Sequence, residues 1–311
     1  MKPKIAVLIP CYNEEKSVAP VIRDAKKYLP GAEVYVYDNN STDKTADVAR
    51  EAGAIVCTSS CQGKGSTVQR MFSDIDADVY VMTDGDTTYD LSRAPELIDE
   101  LIDGRLDMVV GARREKQEEA YRRGHRFGNF MLTRLVQIFF KQPLKDMLSG
   151  FRVFSKRFVK TFPAHSPGFE IETELTVFTC SSRLPFKEIE TDYFARPEGS
   201  ESKLSTYRDG FKILLMIINL IKEERPLFFF SVIAAFLALL SIGFAVPLFV
   251  TYAETGLVPK LPTAVLSTGL MICAIVSLFS GFVLDTIAKT RQESRRQAYL
   301  RYPLYKRGAD K

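Results

Sequence analysis

Two long apolar runs lie in the C-terminal part of the chain. No charged residue occurs from Pro226 to Ala253, and none occurs from Leu261 to Leu284. A helix needs about 20 apolar residues to cross the hydrocarbon core of a bilayer. Each run is therefore predicted to form a membrane-spanning helix, with Ala253–Lys260 as a short linker between the two.

The first part of the chain alternates between short, β-rich apolar runs and segments with helical spacing. The predicted strands and helices are, in order, Ile5–Ile9, Val18–Tyr28, Val34–Tyr37, Thr45–Ala52, Ile55–Cys57, Ser66–Asp74 and Val79–Met82. This alternation predicts an α/β fold with a doubly wound, mostly parallel sheet. In such sheets ligands bind beyond the carboxyl ends of the strands.

The segment between this region and the first apolar run is less regular. Its predicted elements are helices at Leu91–Leu101, Gly128–Phe140 and Glu170–Cys180, and strands at Met108–Gly111, Phe151–Phe154 and Phe186–Glu190. Asp209–Ile221 combines large apolar side chains with flanking charges, which favours a helix in the membrane interface. Packing against the soluble domain explains that pattern almost as well.

These patterns predict four regions. They are an α/β domain over residues 1–204, a juxtamembrane amphipathic helix over 205–225, two transmembrane helices with a short extracytoplasmic linker over 226–285, and a basic cytoplasmic tail over 286–311.

The charge of the chain is informative mainly through its distribution. A net charge of +4 over 311 residues gives little support to nucleic-acid binding. Basic residues gather over 113–126, just before the first apolar run, and over 289–307. Because Lys and Arg next to membrane spans mark the cytoplasmic side, we expect a two-span protein of the cytoplasmic (inner) membrane, with the soluble domain and both termini in the cytoplasm. The tail would also be attracted to anionic headgroups, although a solvated charge run explains its distal half equally well.

The cysteines do not form a recognisable framework. There are five, and Cys57 and Cys61 lack the CxxC pairs or nearby histidines of a zinc site. Buried free thiols in a reducing cytosol are therefore expected. The chain passes from Lys4 directly into a strand-like run, so no signal peptide is predicted.

Candidate chemistry appears where the fourth predicted strand ends. Asp84 and Asp86, separated by Gly85, follow the apolar run Val79–Met82. Two carboxylates at this spacing can offer hard oxygen ligands to Mg²⁺ or Mn²⁺, which often completes its coordination with substrate phosphates. Taken alone, two acids near a turn more often cap a turn or face solvent.

Further motifs change that balance, because they occur in the order and spacing of a known signature. Together they resemble family 2 glycosyltransferases with the GT-A fold, and the resemblance covers about residues 4–225. The segments that carry it are Ile9-Pro10-Cys11-Tyr12-Asn13-Glu14-Glu15, Tyr37-Asp38-Asn39-Asn40-Ser41-Thr42-Asp43-Lys44-Thr45, Gly63-Lys64-Gly65 and Asp84-Gly85-Asp86. Two later segments, 146–152 and 196–204, resemble the polyprenyl-phosphate branch, which includes dolichyl-phosphate mannose synthase and bacterial undecaprenyl-phosphate glycosyltransferases.

The resemblance implies a set of site residues. Asp86, Asp146 and Arg126 would be catalytic, Asp146 mainly by orienting the acceptor or the metal. Asp84 and Asp86 would hold the metal. The nucleotide sugar would contact Pro10, Tyr12, Glu14, Asp38, Asp43, Lys64, Asp84 and Lys203. Apart from the resemblance, the basic residues over 113–126 supply positive charge near the predicted membrane face, and Arg113, Arg122 and Arg126 are the preferred contacts for the acceptor phosphate. Attraction to the membrane surface without a specific contact explains these arginines equally well. Among the alternating acids Glu170, Glu172 and Glu174, the resemblance favours Glu172, and Arg152 is expected to pair with an acid or a phosphate.

The implied reaction is inverting transfer of a sugar from a nucleotide sugar, preferably UDP-glucose or UDP-N-acetylglucosamine, onto undecaprenyl or dolichyl phosphate. GDP-mannose as donor, and a lipid-linked sugar or a protein as acceptor, stay open. A processive polysaccharide synthase is disfavoured because the chain has no Trp for the Q-x-x-R-W block, and an inactive scaffold is disfavoured by the intact motifs. Gly150 stands where many relatives have an acid, which leaves the sugar undecided. A homo-oligomer is a further expectation.

Overall fold

The soluble part of the chain is built on one seven-stranded sheet with the strand order β3-β2-β1-β4-β6-β5-β7. The computed structural model describes residues 2–115, 134, 137, 144–164, 166–168, 170–194, 214, 215, 218, 219, 221–258 and 260–305. The strands are β1 (Ile5–Cys11), β2 (Glu33–Asp38), β3 (Ile55–Thr58), β4 (Val79–Met82), β5 (Met108–Glu115), β6 (Arg152–Ser155) and β7 (Phe186–Tyr193).

The first four strands pair in parallel, as the alternating pattern predicts. Strand β1 lies between β2 and β4, and β2 pairs with β3. The register places Cys11 of β1 opposite Asp38 of β2, so both strands end side by side. Strand β4 ends at the same edge, with Met82 opposite Leu8. The loops that carry the candidate chemistry therefore leave the sheet together.

The remaining strands make the sheet mixed. Strand β6 is antiparallel to both β4 and β5, whereas β5 and β7 are parallel. The predicted mostly parallel sheet is thus confirmed, and the reversed strand is β6. The chain reaches β6 through residues 144–151, which lie at the same edge as the ends of β1, β2 and β4 because Met82 pairs with Arg152.

The helices also follow the predicted pattern closely. They are α1 (Val18–Tyr28), α2 (Thr45–Glu51), α3 (Lys64–Asp74), α4 (Ala94–Asp103), α5 (Lys156–Thr161), α6 (Ile171–Ser181), α7 (Pro226–Thr255) and α8 (Leu261–Leu300). The predicted helix over 91–101 is instead a short 3₁₀ turn at Leu91–Arg93 followed by α4, whose first turn contains a proline.

Helices cover both faces of the sheet and enclose two apolar cores. Alternate residues of β1 enter different cores: Val7 and Ile9 pack with α1 and α4, whereas Ala6 and Leu8 pack with α3 and α6. A strand buried on both faces reads as a continuous apolar run, which is the pattern of a central parallel strand. The sheet is therefore a rigid support for the loops at its carboxyl edge.

The chain divides into two compact units, residues 1–216 with 295–311, and residues 217–294. In the second unit, α7 and α8 are long and apolar enough to span a membrane. Large apolar side chains such as Phe249 and Phe279 are about 70% exposed, at 72% and 68%, as lipid-facing residues would be. Ser241 and Ser267 exchange hydrogen bonds between the two helices, at 2.7 and 3.3 Å.

A cluster of three side chains, Tyr299, Asp107 and Arg157 (the Tyr299 cluster), lies in the first unit. The Tyr299 hydroxyl donates to Asp107 Oδ2 at 2.8 Å, and the Arg157 guanidinium binds the same carboxylate while lying 4.6 Å from the centre of the Tyr299 ring. Asp107 is fully buried and Tyr299 is 9% exposed. The last turn of α8 is therefore part of the core of the unit that carries the sheet.

The expected burial of the cysteines needs correction, and several predicted elements fall outside the residues that the structure describes. Every cysteine is a free thiol, but Cys61 and Cys273 are exposed rather than buried. The predicted interfacial helix over 209–221 and the helix over 128–140 lie largely outside the described residues. The predicted region boundaries at 204, 225 and 285 stay predictions, as does the side of the membrane on which the termini lie.

The Tyr299 cluster leads to a prediction about stability. Tyr299→Phe removes one hydrogen bond to a buried carboxylate that keeps its other partners, so we expect a loss of about 1–2 kcal/mol in the free energy of unfolding. Denaturant unfolding of the purified full-length protein in detergent measures it. Tyr302→Phe is the matched control, since the Tyr302 hydroxyl makes no hydrogen bond within the described part of the chain. Equal free energies of unfolding for both variants would show that the Tyr299 hydroxyl does not stabilise the fold.

Candidate active site

The loops after β1 and β2 are interlocked by hydrogen bonds. Asn13 adopts a left-handed conformation, with φ of 53°, and its side-chain oxygen accepts from the Thr42 backbone N–H at 2.8 Å. Its own N–H donates to Ser41 Oγ at 2.9 Å, and the Glu14 N–H donates to Thr45 Oγ1 at 2.8 Å. The two loops therefore form one surface, which presents Pro10 and the half-exposed ring of Tyr12.

Two predicted nucleotide-binding acids in the second loop differ in their contacts. Asp38 is 8% exposed, and its Oδ2 accepts from the Ser41 N–H at 3.3 Å. Its Oδ1 is buried and has no hydrogen-bond partner among the residues that the structure describes. Such an acceptor is costly unless a ligand supplies a donor. Asp38 is thus a strong candidate for ligand binding.

Asp43, in contrast, holds the loops together. Its Oδ1 accepts from the N–H and hydroxyl of Thr45, and its Oδ2 accepts from the Glu15 N–H at 3.2 Å. Burial opposes the charge of Asp43, but these hydrogen bonds outweigh it and lower the pKa of the carboxyl. The described contacts of Asp43 are structural, and its predicted contact with the nucleotide stays a prediction.

The segment Gly63-Lys64-Gly65 (the Lys64 loop), which includes the first residues of α3, packs directly against the backbone of residues 166–168. Gly65 N–H donates to the Gly168 carbonyl at 3.1 Å, and Ser66 N–H donates to the Pro167 carbonyl at 3.2 Å. A Cβ at position 65 would lie 1.9 Å from the Ser166 carbonyl oxygen, which is sterically forbidden. Asn39 fixes the other side of this loop by accepting from the Gly63 N–H at 2.6 Å. The backbone that carries Lys64 is held from both sides.

Lys64 lies between two carboxylates. Its Nζ is 2.5 Å from Asp84 Oδ1 and 2.5 Å from Glu172 Oε1. The side chains of Lys64 and Glu172 are only 11% and 6% exposed. Burial disfavours the ammonium, but Asp84 and Glu172 outweigh burial and raise the pKa of Lys64 above its ordinary value. Lys64 is therefore a buried cation that neutralises part of an acidic cluster.

Asp84 and Asp86 emerge at the end of β4 in different surroundings. Asp84 is partly exposed, whereas Asp86 is 3% exposed and its Oδ1 accepts from the Thr88 hydroxyl and N–H, at 2.6 and 3.2 Å. The described residues contain no group of three or more His, Cys, Asp or Glu side chains suited to a metal. Two oxygen donors of this kind fit a hard divalent cation that takes its remaining ligands from water and substrate phosphates.

Gly150 lies against the Asp84 carboxylate. A Cβ at position 150 would lie 2.7 Å from Asp84 Oδ2, and the Gly150 N–H donates to the Tyr89 hydroxyl at 2.8 Å. Tyr89 is buried, which raises the pKa of its phenol, and the charges of Arg113, Asp84 and Lys64 act on it. The loop that contains Asp146 therefore meets the end of β4 at Gly150. A larger residue here would crowd Asp84.

Asp146 and Arg113 form a two-pronged ion pair. Arg113 Nε is 2.6 Å from Asp146 Oδ2, and its Nη2 is 2.7 Å from Oδ1. The guanidinium also lies 5.5 Å from the centre of the Tyr193 ring. Burial opposes the charge of Asp146, but Arg113 outweighs it and lowers the pKa of the carboxyl. A carboxylate held in this way orients its neighbours and is a weak proton acceptor at neutral pH.

Arg152 and Glu188 fix the backbone of the loop that contains Asp146 by hydrogen bonds. Arg152 is completely buried and donates to the carbonyl oxygens of Met147, Ser149 and Glu172, at 2.6, 2.8 and 3.1 Å. The expectation that Arg152 pairs with an acid is wrong, because backbone carbonyls take its donors. Glu188 accepts from the Lys145 and Asp146 N–H groups, at 2.6 and 3.1 Å.

The sequence comparison now identifies the family. Residues 6–162, half of the chain, match the family model described as glycosyl transferase family 2. The chain belongs to glycosyl transferase family 2. Glycosyltransferase AglJ of Haloferax volcanii is 32% identical, over 94% of this chain and 96% of that protein. The dolichyl-phosphate hexose transferase of the same organism is 28% identical, over 71% of this chain and 95% of that protein.

The solved structures agree with this assignment at the level of the fold. A glucosyl-3-phosphoglycerate synthase from Mycobacterium tuberculosis, crystallised with Mn²⁺, UDP-glucose and phosphoglyceric acid, superposes with a TM-score of 0.57. It is 22% identical, and the match covers 71% of this chain and 79% of that chain. The predicted GT-A fold and the predicted glycosyltransferase activity are confirmed.

The structure of this glycosyltransferase brings most predicted site residues to one edge of the sheet. These residues lie on loops or strand ends at this edge, except Lys64, which begins α3: Pro10, Tyr12, Glu14, Asp38, Asp43, Lys64, Asp84, Asp86, Arg113 and Asp146. Arg122, Arg126 and Lys203 lie outside the described residues, and their roles stay predictions. Sequence reasoning missed Thr88, Tyr89 and the backbone of 166–168, for which no motif gave a signal.

The close packing of the Lys64 loop generates a functional prediction. Gly65→Ala must push the loop away from residues 166–168 and move Lys64, so we expect turnover of the glycosyltransferase to fall about 100-fold. Release of nucleoside diphosphate from a panel of UDP- and GDP-sugars measures turnover. Gly269→Ala is the control, because a Cβ there meets nothing within 4 Å. Turnover of Gly65→Ala near that of the control would contradict the packing argument.

The Asp146–Arg113 pair generates a prediction about pH. A carboxyl whose pKa is lower in the folded chain stabilises the fold above the ordinary aspartate pKa of about 3.9, and this contribution is lost as the pH falls through the folded value. We therefore expect Asp146→Asn to be less stable than the wild type at about pH 7, and the gap to narrow below about pH 4. Denaturant unfolding across this range measures the gap. A gap that is independent of pH would mean that the pair contributes nothing through its charge.

Proposed function

We propose that this glycosyltransferase transfers a sugar from a nucleotide sugar, preferably UDP-linked, to a polyprenyl phosphate at the cytoplasmic face of a membrane. The observation that carries the proposal is the meeting of paired acids and buried cations at one edge of the sheet. Asp84 with Lys64, and Asp146 with Arg113, converge around Tyr89 and Gly150. This arrangement suits a reaction between two phosphate-bearing substrates.

The donor half of the proposal is supported by Asp38. Its buried, unpartnered Oδ1 can accept a hydrogen bond from a ring N–H. The imide of uracil carries such an N–H, and so does guanine, which keeps GDP-mannose as the alternative donor. Tyr12, exposed on the loop that the Asn39 N–H joins to the loop of Asp38, is proposed to stack on the base.

The acceptor half is supported by the relatives and by the two long apolar helices. One Haloferax volcanii relative is named a dolichyl-phosphate hexose transferase. A phosphate monoester has a second pKa of about 6 and is therefore largely dianionic at neutral pH. Such a nucleophile needs no strong base, which agrees with the way Arg113 engages Asp146. Undecaprenyl and dolichyl phosphates share this chemistry. Arg122 and Arg126 are proposed to contact the acceptor phosphate, and Lys203 is proposed to contact the diphosphate of the donor.

The proposed reaction is one in-line displacement. An oxygen of the lipid phosphate bonds to the anomeric carbon as the bond from that carbon to the nucleoside diphosphate breaks, and the electron pair leaves with the diphosphate. No proton has to be transferred. The residues of this chain orient the two anions and offset their repulsion. Glu172 acts by fixing Lys64.

A divalent cation, Mg²⁺ or Mn²⁺, is part of the proposal. Asp84 and Asp86 would hold it, and when bound it would neutralise the charge that develops on the departing diphosphate. The M. tuberculosis synthase of the same fold was crystallised with Mn²⁺ and a UDP-sugar, which supports this choice without deciding between the two metals.

Product analysis tests the proposed function. The purified full-length protein is incubated with Mg²⁺ or Mn²⁺, synthetic undecaprenyl or dolichyl phosphate, and single UDP- or GDP-sugars, and the lipid product is weighed by mass spectrometry. We expect one hexose-type residue to be added to the lipid phosphate, and none to be added to the free polyprenol. Asp86→Asn serves as the inactive control. Transfer only to a lipid-linked sugar or to a protein would overturn the proposal.

A further inference from the structure

We propose that Lys64 and the divalent cation compete for the Asp84 carboxylate, and that the nucleoside diphosphate ends this competition by drawing Lys64 away. Cation and nucleotide would then bind cooperatively, and Lys64 would set the strength of that cooperation. The inference rests on the proposed cation-dependent transfer and adds to it an order among the binding events. It makes Lys64 a positioning residue for the cation as well as a contact for the diphosphate.

The competition follows from where the Lys64 ammonium lies. Its Nζ is equally close, at 2.5 Å, to Asp84 Oδ1 and Glu172 Oε1. Asp84 is one of the two carboxylates at the end of β4 that fit a hard cation. Because Lys64 and Glu172 are almost completely buried, water screens these charges only weakly. The three groups carry one positive and two negative charges, which leaves a net charge of −1.

A second cation cannot join this arrangement freely. A divalent ion on Asp84 would repel the Lys64 ammonium twice as strongly as a single charge would. The backbone around Lys64 cannot retreat, since Gly63 is bonded to Asn39 and Gly65 is packed on residues 166–168. Only the flexible side chain of Lys64 can swing away, and it then loses its ion pair with Asp84.

The diphosphate gives the Lys64 ammonium a new anionic partner when the side chain moves away from Asp84. Its oxygens are acceptors for the ammonium, so Lys64 exchanges one anion for another rather than losing its partner. Asp84 is then available to the cation, which also binds the same diphosphate. If the nucleotide raises the affinity for the cation by some factor, the cation must raise the affinity for the nucleotide by the same factor. The proposal can therefore be tested by binding alone.

The experiment measures Mn²⁺ affinity by electron paramagnetic resonance of free Mn²⁺, without nucleotide and with saturating UDP or GDP. For the wild type we expect weak binding without nucleotide and at least about tenfold tighter binding with it. Lys64→Met removes the competitor, so its nucleotide-free affinity should be at least about tenfold tighter than that of the wild type. The difference between its affinities with and without nucleotide should shrink accordingly.

Charge-matched variants separate competition from net charge and guard against misfolding. Lys64→Met combined with Glu172→Gln keeps the net charge of the three positions at −1 while leaving Asp84 without the ammonium, and it avoids leaving the buried Glu172 carboxylate without a cation. It should also bind Mn²⁺ more tightly than the wild type without nucleotide. Glu172→Gln alone keeps Lys64 paired with Asp84, so its nucleotide-free affinity for Mn²⁺ should not be tighter than that of the wild type. Lys156→Met, at an exposed ion pair with Asp76, should match the wild type.

The outcomes distinguish this inference from the proposed function. Wild-type cooperation between UDP and Mn²⁺, with no tightening in either variant that lacks Lys64, would overturn the competition and leave the cation-dependent function standing. Absence of Mn²⁺ binding by the wild type, even with UDP or GDP, would overturn both. Tightening in the single and the double variant, with none in Glu172→Gln or Lys156→Met, would support the competition.

Discussion

The charge balance around Lys64 is the constraint on which the site depends. One ammonium, held within 2.5 Å of both Asp84 and Glu172, joins the end of β4 to the first turn of α6. Removing Lys64 would leave the buried Glu172 carboxylate uncompensated, which is among the most destabilising changes a core can suffer. The Arg113–Asp146 ion pair likewise places a cation against a buried carboxylate. The site is thus a set of ion pairs that anionic substrates can rearrange.

The fold makes these pairs possible by bringing backbone very close to backbone. The Lys64 loop can reach Glu172 only because glycine at position 65 allows contact with the Ser166 carbonyl. Arg152, buried completely, joins the Asp146 loop to α6 through three carbonyl oxygens. Both devices use a rigid, doubly covered sheet as their support. Precision in the site therefore comes from backbone packing, and charge comes from a few side chains placed upon it.

Most of the architecture and the position of the site could be predicted from the sequence. The pairs of side chains that are distant in sequence and contact each other in the fold could not. The ends of β1, β2 and β4 carry Pro10, Asp38 and Asp84 because parallel strands finish at one edge. In contrast, Asp146 meets Arg113 across 33 residues, and Tyr299 meets Asp107 across 192. The reversed direction of β6 is likewise set by tertiary packing. Local pattern contains no information on such distant partners.

A structure of the full-length enzyme with UDP and Mn²⁺ bound tests the central claim most directly. The account predicts an Asp84 oxygen on the metal, Lys64 Nζ beyond hydrogen-bonding distance of Asp84, and the ammonium against the diphosphate. If Lys64 instead stays between Asp84 and Glu172 while the metal binds elsewhere, the rearrangement of ion pairs by substrates is contradicted.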